Sequence, residues 1–253
     1  MTAAAFRPCI VIPIYDHGAT IHALAAQLSS HGLPIFIVDD GSHEPTRVEL
    51  ARAARDIPLV RLHRFMKNSG KGTAMKHALR WARAEGMSHA LQIDADGQHD
   101  ARDVPRFLAQ AAACPDALIV GAPQFDASAP KARLYGRKLT NFWVCIETLS
   151  LGVKDSQCGF RLYPLDAACA LIERAALPRR MSFDIAIVVR LAWQGTPVQN
   201  LPTRVVYPPG GLSHFDMLAD NARITYLHTM LVFGMLLRLP LLLMRRLATR
   251  ASA

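Results

Sequence analysis

Short apolar runs alternate with helical stretches along the first half of this sequence, and this alternation limits the possible folds more than any other feature. The apolar runs predict strands at residues 9–13, 34–38, 58–62, 88–93 and 117–120. The stretches between them predict helices at residues 20–30, 44–55, 71–85 and 101–112. Strands that alternate with helices of this length are typical of βαβ units. We therefore predict an α/β fold with a mostly parallel central sheet and helices on both of its faces.

The second half of the sequence is less regular and indicates where a first domain ends. It predicts helices at residues 133–151, 166–175 and 183–193, an extended segment at 155–163 and a strand at 198–206. The stretch Pro208-Pro209-Gly210-Gly211 then interrupts the pattern. We predict one domain over residues 1–210 and a separate C-terminal segment over residues 211–253.

Composition narrows the class of protein. A chain of 253 residues with 51% hydrophobic residues can bury a large core, which excludes a disordered protein. The net charge of +9 favours anionic partners, namely phosphorylated small molecules, anionic lipid or nucleic acid. Nucleic acid ranks last, because the basic residues are dispersed along the chain. The five cysteines form no CxxC pair and the N-terminus has no long apolar run, so we expect a reducing, cytoplasmic location.

The C-terminal segment is very apolar and suggests a membrane. The stretch "ITYLHTMLVFGMLLRLPLLLMRRLATR" contains Arg238 and Pro240 and ends in three arginines within residues 245–250. Its uninterrupted part, residues 229–237, is much shorter than the roughly 20 residues that a spanning helix needs. We expect helices that lie in the membrane interface, with the arginines facing anionic headgroups. Two alternatives are a spanning helix in which Arg238 reaches back to the surface, and a buried C-terminal hairpin of the core.

Two carboxylates end the predicted fourth strand, in the stretch "ALQIDADGQHD". Asp94 and Asp96 are separated by one residue, so both can reach one point. A hard divalent cation usually takes one or two carboxylates together with substrate phosphates. Such a site would hold a nucleotide diphosphate and neutralise its charge as it departs. The alternative is an Asx-turn or a helix cap, and Asp100 or Asp103 is expected to cap the next helix.

Two further groups follow predicted strands. Asp39 and Asp40 could accept hydrogen bonds from a base or a ribose, or Asp40 could cap the following helix. The loop at residues 68–72 lacks the spacing of a P-loop, but its glycines allow a ligand close to the backbone. Lys71 in this loop could meet a phosphate or a base carbonyl, and the alternative is an ordinary strand-to-helix turn.

Taken together, five motifs resemble a known family. They are, in order, "VIPIYD", "VDDGS", "NSGKGTAMKHAL", "DADGQH" and "DSQCGFRLY". Their order and intervals resemble the family 2 glycosyltransferases with the GT-A, Rossmann-like fold, above all the polyprenyl-phosphate sugar synthases of the dolichol-phosphate mannose synthase type. The resemblance covers residues 10–207 and implies that residues 1–210 form the GT-A domain.

The resemblance implies roles for residues on the donor side. The donor nucleotide would contact Pro13, Tyr15, Asp16, Asp39, Asp40, Lys71, Asp94 and Ala95. Asp94 would reach the ribose or the metal, and Asp96 would bind the Mg²⁺ or Mn²⁺ that bridges the diphosphate. Gln98 would lie near the donor sugar.

On the acceptor side, the resemblance implies a site for a lipid phosphate. Asp155 and the segment Gly159-Phe160-Arg161 match the acceptor element of the family, and the stretch "KARLYGRKLTN" resembles its arginine-bearing helix. Arg133 and Arg137 are spaced i, i+4, so they could grip one phosphate together, with Arg161 as a third ligand. The alternative is a solvated basic face.

The sequence departs from the synthases at two places. Asp16-His17 stands where they usually have Asn-Glu, and Ala186 stands where they often have a carboxylate. A hydroxyl acceptor needs a general base, for which Asp184 or Asp155 is the candidate, whereas a phosphate acceptor is already an anion. The predicted catalytic residues are therefore Asp96, Asp155 and Asp184. His214 could face the active site or lie in a turn.

We therefore predict a metal-dependent inverting glycosyltransferase, peripheral or monotopic, at the cytoplasmic face of the inner membrane. It would move a sugar from a UDP- or GDP-sugar to a lipid acceptor, preferably polyprenyl phosphate. One alternative is a lipid or polyketide hydroxyl acceptor, and another is a non-catalytic module that binds nucleotide or lipid. The sugar, the nucleotide base and the oligomeric state are left open by the sequence.

Overall fold

Seven strands form one sheet at the centre of the molecule. The computed structural model describes residues 5–126, 129–207 and 215–251. The strands are β1 (Pro8–Ile14), β2 (Ile35–Asp39), β3 (Val60–Arg64), β4 (His89–Gln92), β5 (Leu118–Phe125), β6 (Arg161–Pro164) and β7 (Val198–Val205). Their order in the sheet is β3-β2-β1-β4-β6-β5-β7.

Within the described ranges, eight helices connect and flank the strands. They are α1 (Gly18–Ser29), α2 (Thr46–Asp56), α3 (Lys71–Ala84), α4 (Val104–Ala113), α5 (Lys131–Thr148), α6 (Leu165–Arg174), α7 (Phe183–Gln194) and α8 (Ala219–Ala251). A 3-10 turn at Ala101–Asp103 precedes α4, and the side chain of Asp100 caps it, as expected. Each of the predicted helices and strands before residue 207 is found within a few residues of its expected position.

The sheet is mostly parallel, which confirms the prediction, but one strand runs the other way. Strands β1 to β4 pair in parallel, as do β5 and β7. Strand β6 lies between β4 and β5 and is antiparallel to both. The extended segment predicted at residues 155–163 is a strand only from Arg161 onward. The residues before it form a loop that belongs to the functional site.

Alternate residues of the central strands pack into two apolar layers. In β1, Cys9 and Val11 face one layer, and Ile10 and Ile12 face the other, all of them fully buried. This follows from the period-2 geometry of a strand whose two faces are both covered by helices. The carboxyl ends of β1, β2 and β4 therefore open along one edge, where the polar residues after each strand can meet.

The C-terminal segment is one helix, which corrects the prediction of several interfacial helices. α8 continues through both Arg238 and Pro240. Arg238 does not end the helix, because its guanidinium donates to the carbonyl of Gly234 and stacks 4.9 Å from the ring centroid of Trp193. Residues 215–251 do not form a buried hairpin either. The predicted domain boundary at residues 210 and 211 lies outside the described residues, so it stays a prediction.

One side of α8 is fixed to the rest of the molecule and the other is exposed. The helix packs on α5 and α7, with Leu227, Leu231 and Met235 buried. Arg245 donates a hydrogen bond to the carbonyl of Trp193. The outward side carries large apolar side chains that are 48–84% exposed: Tyr226, Met230, Phe233, Leu236, Leu237, Met244 and Leu247. The part of α8 at Ala219–Leu247 is long and apolar enough to cross a membrane.

Gly234 allows α8 to lie against Trp193, and this contact can be tested. A Cβ at Gly234 would stand 2.7 Å from the Trp193 ring, whereas a Cβ at Gly136 in α5 would meet nothing within 4 Å. Both substitutions to alanine gain helix propensity of about 1 kcal/mol. Only Gly234→Ala also overpacks, at a cost of about 1–3 kcal/mol. We expect denaturant unfolding to show that Gly136→Ala raises the free energy of unfolding. Gly234→Ala should have a free energy of unfolding about 1–3 kcal/mol lower than that of Gly136→Ala. Equal stabilities would show that α8 does not pack on Trp193.

Candidate functional site

Lys71 lies at the centre of the polar edge and joins three elements. It is the first residue of α3, and its Nζ lies 2.7 Å from Asp94 Oδ2 and 2.7 Å from Asp184 Oδ2. Asp94 follows β4, and Asp184 is in the first turn of α7. Burial alone would lower the pKa of Lys71, but the carboxylates of Asp184 and Asp94 outweigh burial and raise it. Lys71 is therefore a permanently charged group between two carboxylates.

Asp94 and Asp96 differ in their electrostatic environment although one residue separates them. Burial would raise the pKa of Asp94, but Lys71 outweighs burial and the pKa lies below its usual value. Burial and then the charge of Asp94 raise the pKa of Asp96. Asp96 accepts a hydrogen bond from the backbone N–H of Gln98 at 3.1 Å and makes no ion pair within the described residues. A cation beside Asp96 would therefore find a carboxylate that still lacks a positive partner.

The two carboxylates fit a divalent metal held jointly with a substrate. Within the ranges that the structure describes, no group of three or more His, Cys, Asp or Glu side chains could hold a metal ion. A Mg²⁺ or Mn²⁺ ion bound by one or two carboxylates takes its remaining oxygen ligands from phosphates and water. Asp96, with Asp94 beside it, offers such a partial set. The metal role of both residues stays a prediction that this geometry suits.

The loop before β6 presses against Asp94. A Cβ at Gly159 would overlap the Asp94 carboxylate, so a larger residue here would force this carboxylate to shift. Asp94 also accepts from Nε2 of Gln92 at 3.1 Å. Gln92, Lys71 and the Gly159 backbone together hold the Asp94 carboxylate in one position.

Asp39 and Asp40 are both buried and bonded to the protein. Asp39 accepts from the N–H of Ser42 at 2.9 Å and from Nε of Arg64 at 2.6 Å. Asp40 accepts from the N–H groups of Ser69 and Gly70, both at 2.7 Å. The alternative that Asp40 caps the next helix is wrong, because α2 has no side-chain cap. Asp40 instead holds the glycine-bearing loop that leads to Lys71.

The residues after β1 are held by a histidine that the sequence reasoning missed. Asp16 has a left-handed backbone (φ 53°) and accepts from the N–H of His43 at 2.8 Å, with His43 Nδ1 2.9 Å from its other oxygen. The ring of Tyr15 lies 6.1 Å from that of His43. Pro13 pairs with Val38 at the end of the strand. Their predicted contacts with a nucleotide remain predictions, as does that of Ala95, whose carbonyl accepts from Thr20.

His99 is a second residue that the sequence reasoning missed. Its ring stacks on Phe160 with the centroids 5.5 Å apart, and its Nδ1 is buried with no hydrogen-bond partner in the described part of the chain. Burial lowers the pKa of His99, although the carboxylates of Asp94 and Asp96 oppose this. The sequence feature that could have identified His99 is its position directly after Gln98. The role of Gln98 at the donor sugar stays a prediction. His214 lies outside the described residues.

The residues predicted for the acceptor side include an ion pair between α5 and the loop before β6. Nη1 of Arg137 lies 2.7 Å from both carboxylate oxygens of Asp155. Asp155 also accepts from the N–H of Gln157 at 2.8 Å. The guanidinium of Arg133, one turn earlier, lies 5.4 Å from the ring of Tyr207. Asp155 is thus committed to Arg137, which makes it a poor candidate for a general base.

Arg161 is the clear correction among the predicted site residues. It is fully buried in β6, and its guanidinium donates to the backbone carbonyls of Ser156, Cys158 and Asp184. A side chain in this position cannot bind an acceptor phosphate as predicted. Arg161 instead braces the loop before β6 against the first turn of α7.

Comparisons with known proteins identify the family of the chain. The model of the family "Glycosyl transferase family 2" matches residues 9–177. A polyprenol monophosphomannose synthase of Mycolicibacterium smegmatis is 28% identical over 227 residues, which cover 86% of this chain and 83% of that protein. A dolichyl-phosphate beta-glucosyltransferase of Dictyostelium discoideum is 27% identical over 164 residues, or 61% of this chain, and the match spans about half (49%) of that protein.

A solved structure shares the fold. The glucosyl-3-phosphoglycerate synthase of Mycobacterium tuberculosis, in complex with Mn²⁺ and uridine-diphosphate-glucose, superposes with a TM-score of 0.67 at 12% identity. The match covers 92% of this chain and 79% of that chain. The predicted GT-A fold is confirmed.

The contact between Gly159 and Asp94 predicts a selective defect. In Gly159→Ala, the new methyl group would displace the Asp94 carboxylate, so we expect Mn²⁺ binding in the presence of a nucleoside diphosphate to weaken at least about tenfold. The matched control is Gly152→Ala earlier in the same loop, where the Cβ meets only the Ser150 hydroxyl at 3.0 Å. Electron paramagnetic resonance of free Mn²⁺ measures the binding, and thermal unfolding checks the fold. Unchanged binding by folded Gly159→Ala would remove Asp94 from the metal site.

Proposed function

Because the chain belongs to glycosyl transferase family 2, we propose that it moves a sugar from a UDP- or GDP-sugar to a membrane lipid acceptor, preferably polyprenyl phosphate. The chain is a glycosyltransferase; its donor and acceptor are the proposed part. The observation that carries the proposal is the pairing of Lys71 with Asp94 and Asp184, which leaves Asp96 without a cation on the donor side. The ion pair of Arg137 and Asp155 stands on the acceptor side.

On the donor side, the carboxylates and Lys71 have different roles. Asp96, with Asp94, would hold the Mg²⁺ or Mn²⁺ ion, which when bound neutralises the negative charge that grows on the departing nucleoside diphosphate. Lys71 fixes the position of Asp94 and supplies a further positive charge beside it. Support comes from the structural neighbour, which was solved with Mn²⁺ and a nucleotide sugar.

On the acceptor side, a phosphate oxygen is the nucleophile that suits the geometry best. Such an oxygen is already an anion and needs no general base. Both candidate bases are ion-paired, Asp155 with Arg137 and Asp184 with Lys71. The phosphate oxygen would form the bond to the anomeric carbon as the diphosphate leaves with the electron pair of the broken bond. This single in-line displacement inverts that carbon. The names of both relatives, a polyprenol and a dolichyl-phosphate enzyme, support this acceptor.

One observation favours a lipid hydroxyl as a second candidate acceptor. Oδ1 of Asp184 is buried and has no hydrogen-bond partner among the described residues, although Arg161 lies 3.9 Å away. This oxygen could accept the proton of an attacking hydroxyl. The stability of the product separates the two candidates.

The acceptor and product are identified by one transfer assay. Membranes that contain the protein receive labelled UDP- and GDP-sugars with Mn²⁺ or Mg²⁺, and the lipid extract is treated with mild acid. We expect acid-labile label, because a sugar-phosphate-lipid link hydrolyses under these conditions. Label that survives acid would indicate a hydroxyl acceptor instead. A metal chelator should abolish transfer and added Mn²⁺ or Mg²⁺ should restore it.

Asp96→Asn tests the role of Asp96 in the same assay. The change keeps the size of the side chain and removes its charge, so we expect transfer to fall at least about a hundredfold while thermal unfolding is unchanged. Transfer at the wild-type rate would exclude Asp96 from the site. If the wild type also gives no labelled lipid with any of the donors, the proposed reaction is contradicted.

We further propose that α8 holds the enzyme on the cytoplasmic face of the membrane, lying in the interface. Its outward side is apolar, and its inward side is fixed to Trp193 by Arg238 and Arg245. A helix that left this contact to span the bilayer would carry both arginines into the hydrocarbon, which is costly. The net charge of +9 favours anionic headgroups.

Membrane binding by α8 can be tested with an exposed apolar residue. Leu237 is 84% exposed on α8, and Val48 is 58% exposed on α2. We expect Leu237→Glu to weaken co-flotation with anionic vesicles at least about tenfold, since burying one leucine contributes about 1.5–3 kcal/mol. Val48→Glu adds the same charge elsewhere and should float like the wild type. If both variants float equally well, α8 does not bind the vesicle through this side.

A further inference from the structure

A cavity of about 360 Å³ opens between α5, β5 and the loop before β6. Arg137, Lys138 and Leu134 line it from α5, Phe125 lines it from β5, and Lys154 and Asp155 line it from the loop. This loop continues to Gly159, whose backbone contacts Asp94. The cavity therefore adjoins the proposed donor site, with the loop as the wall between them.

The charged side chains of the cavity leave a surplus of positive charge. Arg137 is neutralised by Asp155. Lys138 and Lys154 make no ion pair within the part of the chain that the structure describes, and both are exposed at the cavity. Three cations and one carboxylate therefore leave a net charge of +2. A phosphate monoester carries about 1.5–2 negative charges at neutral pH, which matches this surplus.

We infer that this cavity binds the monoester phosphate of the acceptor lipid, and that Lys138 and Lys154 are its ligands together with Arg137. The inference rests on the proposed function and names the residues of its acceptor site. Lys154 takes the role that the sequence suggested for the buried Arg161. The sequence prediction relied on the i, i+4 spacing of Arg133 and Arg137. That spacing does not identify either lysine as a ligand.

Asp155 acts in this site as a positioning residue. It holds Arg137 through Nη1 alone, at 2.7 Å from each oxygen, while Nη2 donates to the carbonyl of Gln157 at 3.5 Å. Nε and the second N–H of Nη2 are left to face a ligand. Phe125 supports the guanidinium from one side, at 5.4 Å from its ring centroid. Asp155 therefore orients the arginine and does not accept a proton from the acceptor.

Apolar side chains beside the cations select an amphiphile over a free anion. Phe125 and Leu134 line the cavity itself. Tyr135, Leu139 and Phe142 lie on the neighbouring face of α5 and are 59–68% exposed. A prenyl chain attached to the phosphate could follow these side chains away from the cavity, whereas inorganic phosphate has nothing to place there.

The test measures binding of geranyl phosphate, a short soluble prenyl phosphate, to the full chain in detergent without donor or metal. By calorimetry, we expect Lys138→Ala and Lys154→Ala each to weaken binding about tenfold, as loss of a charged hydrogen bond does. Lys154→Arg should retain most of the affinity. Arg55→Ala, on α2 at the opposite end of the sheet, is the matched control and should bind like the wild type. Inorganic phosphate and geraniol should each bind more weakly than geranyl phosphate.

The outcomes separate this inference from the proposed function. If the wild type transfers sugar to polyprenyl phosphate but both lysine variants bind geranyl phosphate normally, the cavity assignment is wrong and the function stands. If the wild type neither binds geranyl phosphate nor labels polyprenyl phosphate, both are wrong. For Asp155→Asn, a positioning role predicts a higher KM for the lipid with kcat within about threefold. A fall in kcat of about a hundredfold or more would identify Asp155 as a general base.

Discussion

The ion pairs of Lys71 with Asp94 and Asp184 are the contact on which the rest of the site depends. They join the start of α3, the end of β4 and the first turn of α7. Arg161 lies 3.9 Å from Asp184, so two cations balance two carboxylates below the site. Removing one member of such a buried group leaves an unpaired charge and costs about 3–5 kcal/mol. Because this balance uses Asp94, the uncompensated negative charge is left on Asp96, where the proposed metal ion would bind.

The loop before β6 couples the two halves of the site. In its middle, Asp155 holds Arg137 of α5, and near its end Gly159 lies against Asp94. Arg161 then fixes the loop from below by donating to the carbonyls of Ser156 and Cys158. A shift of this loop would move Arg137 and Asp94 together. One short backbone segment therefore links Arg137 to Asp94, and a larger residue at position 159 would displace the Asp94 carboxylate.

Local pattern predicted most of the fold and placed Asp94 and Asp96 at the polar edge of the sheet, because strand ends and the acids after them are adjacent in sequence. Arg161 could not be placed in this way. It lies in β6, which is buried because it inserts between β4 and β5, and that pairing is long-range. The same holds for Arg238, which looks like a helix end until its partner Trp193 is known. The sequence could predict which residues carry charge, but the buried partners of those charges depend on tertiary contacts.

Helices α8 and α5 form one unit, and this bears on how a lipid could reach the cavity. Glu147 near the end of α5 pairs with His228 of α8 at 2.6 Å, and its carbonyl accepts from the Trp193 indole at 2.7 Å. Arg137 stands ten residues before Glu147 on the same helix, about 15 Å away along its axis. If α8 lies in the interface, α5 is held at a defined height beside it. A prenyl phosphate can then enter the cavity while its chain stays in the bilayer, because the protein brings the cations to the headgroup level and does not extract the lipid.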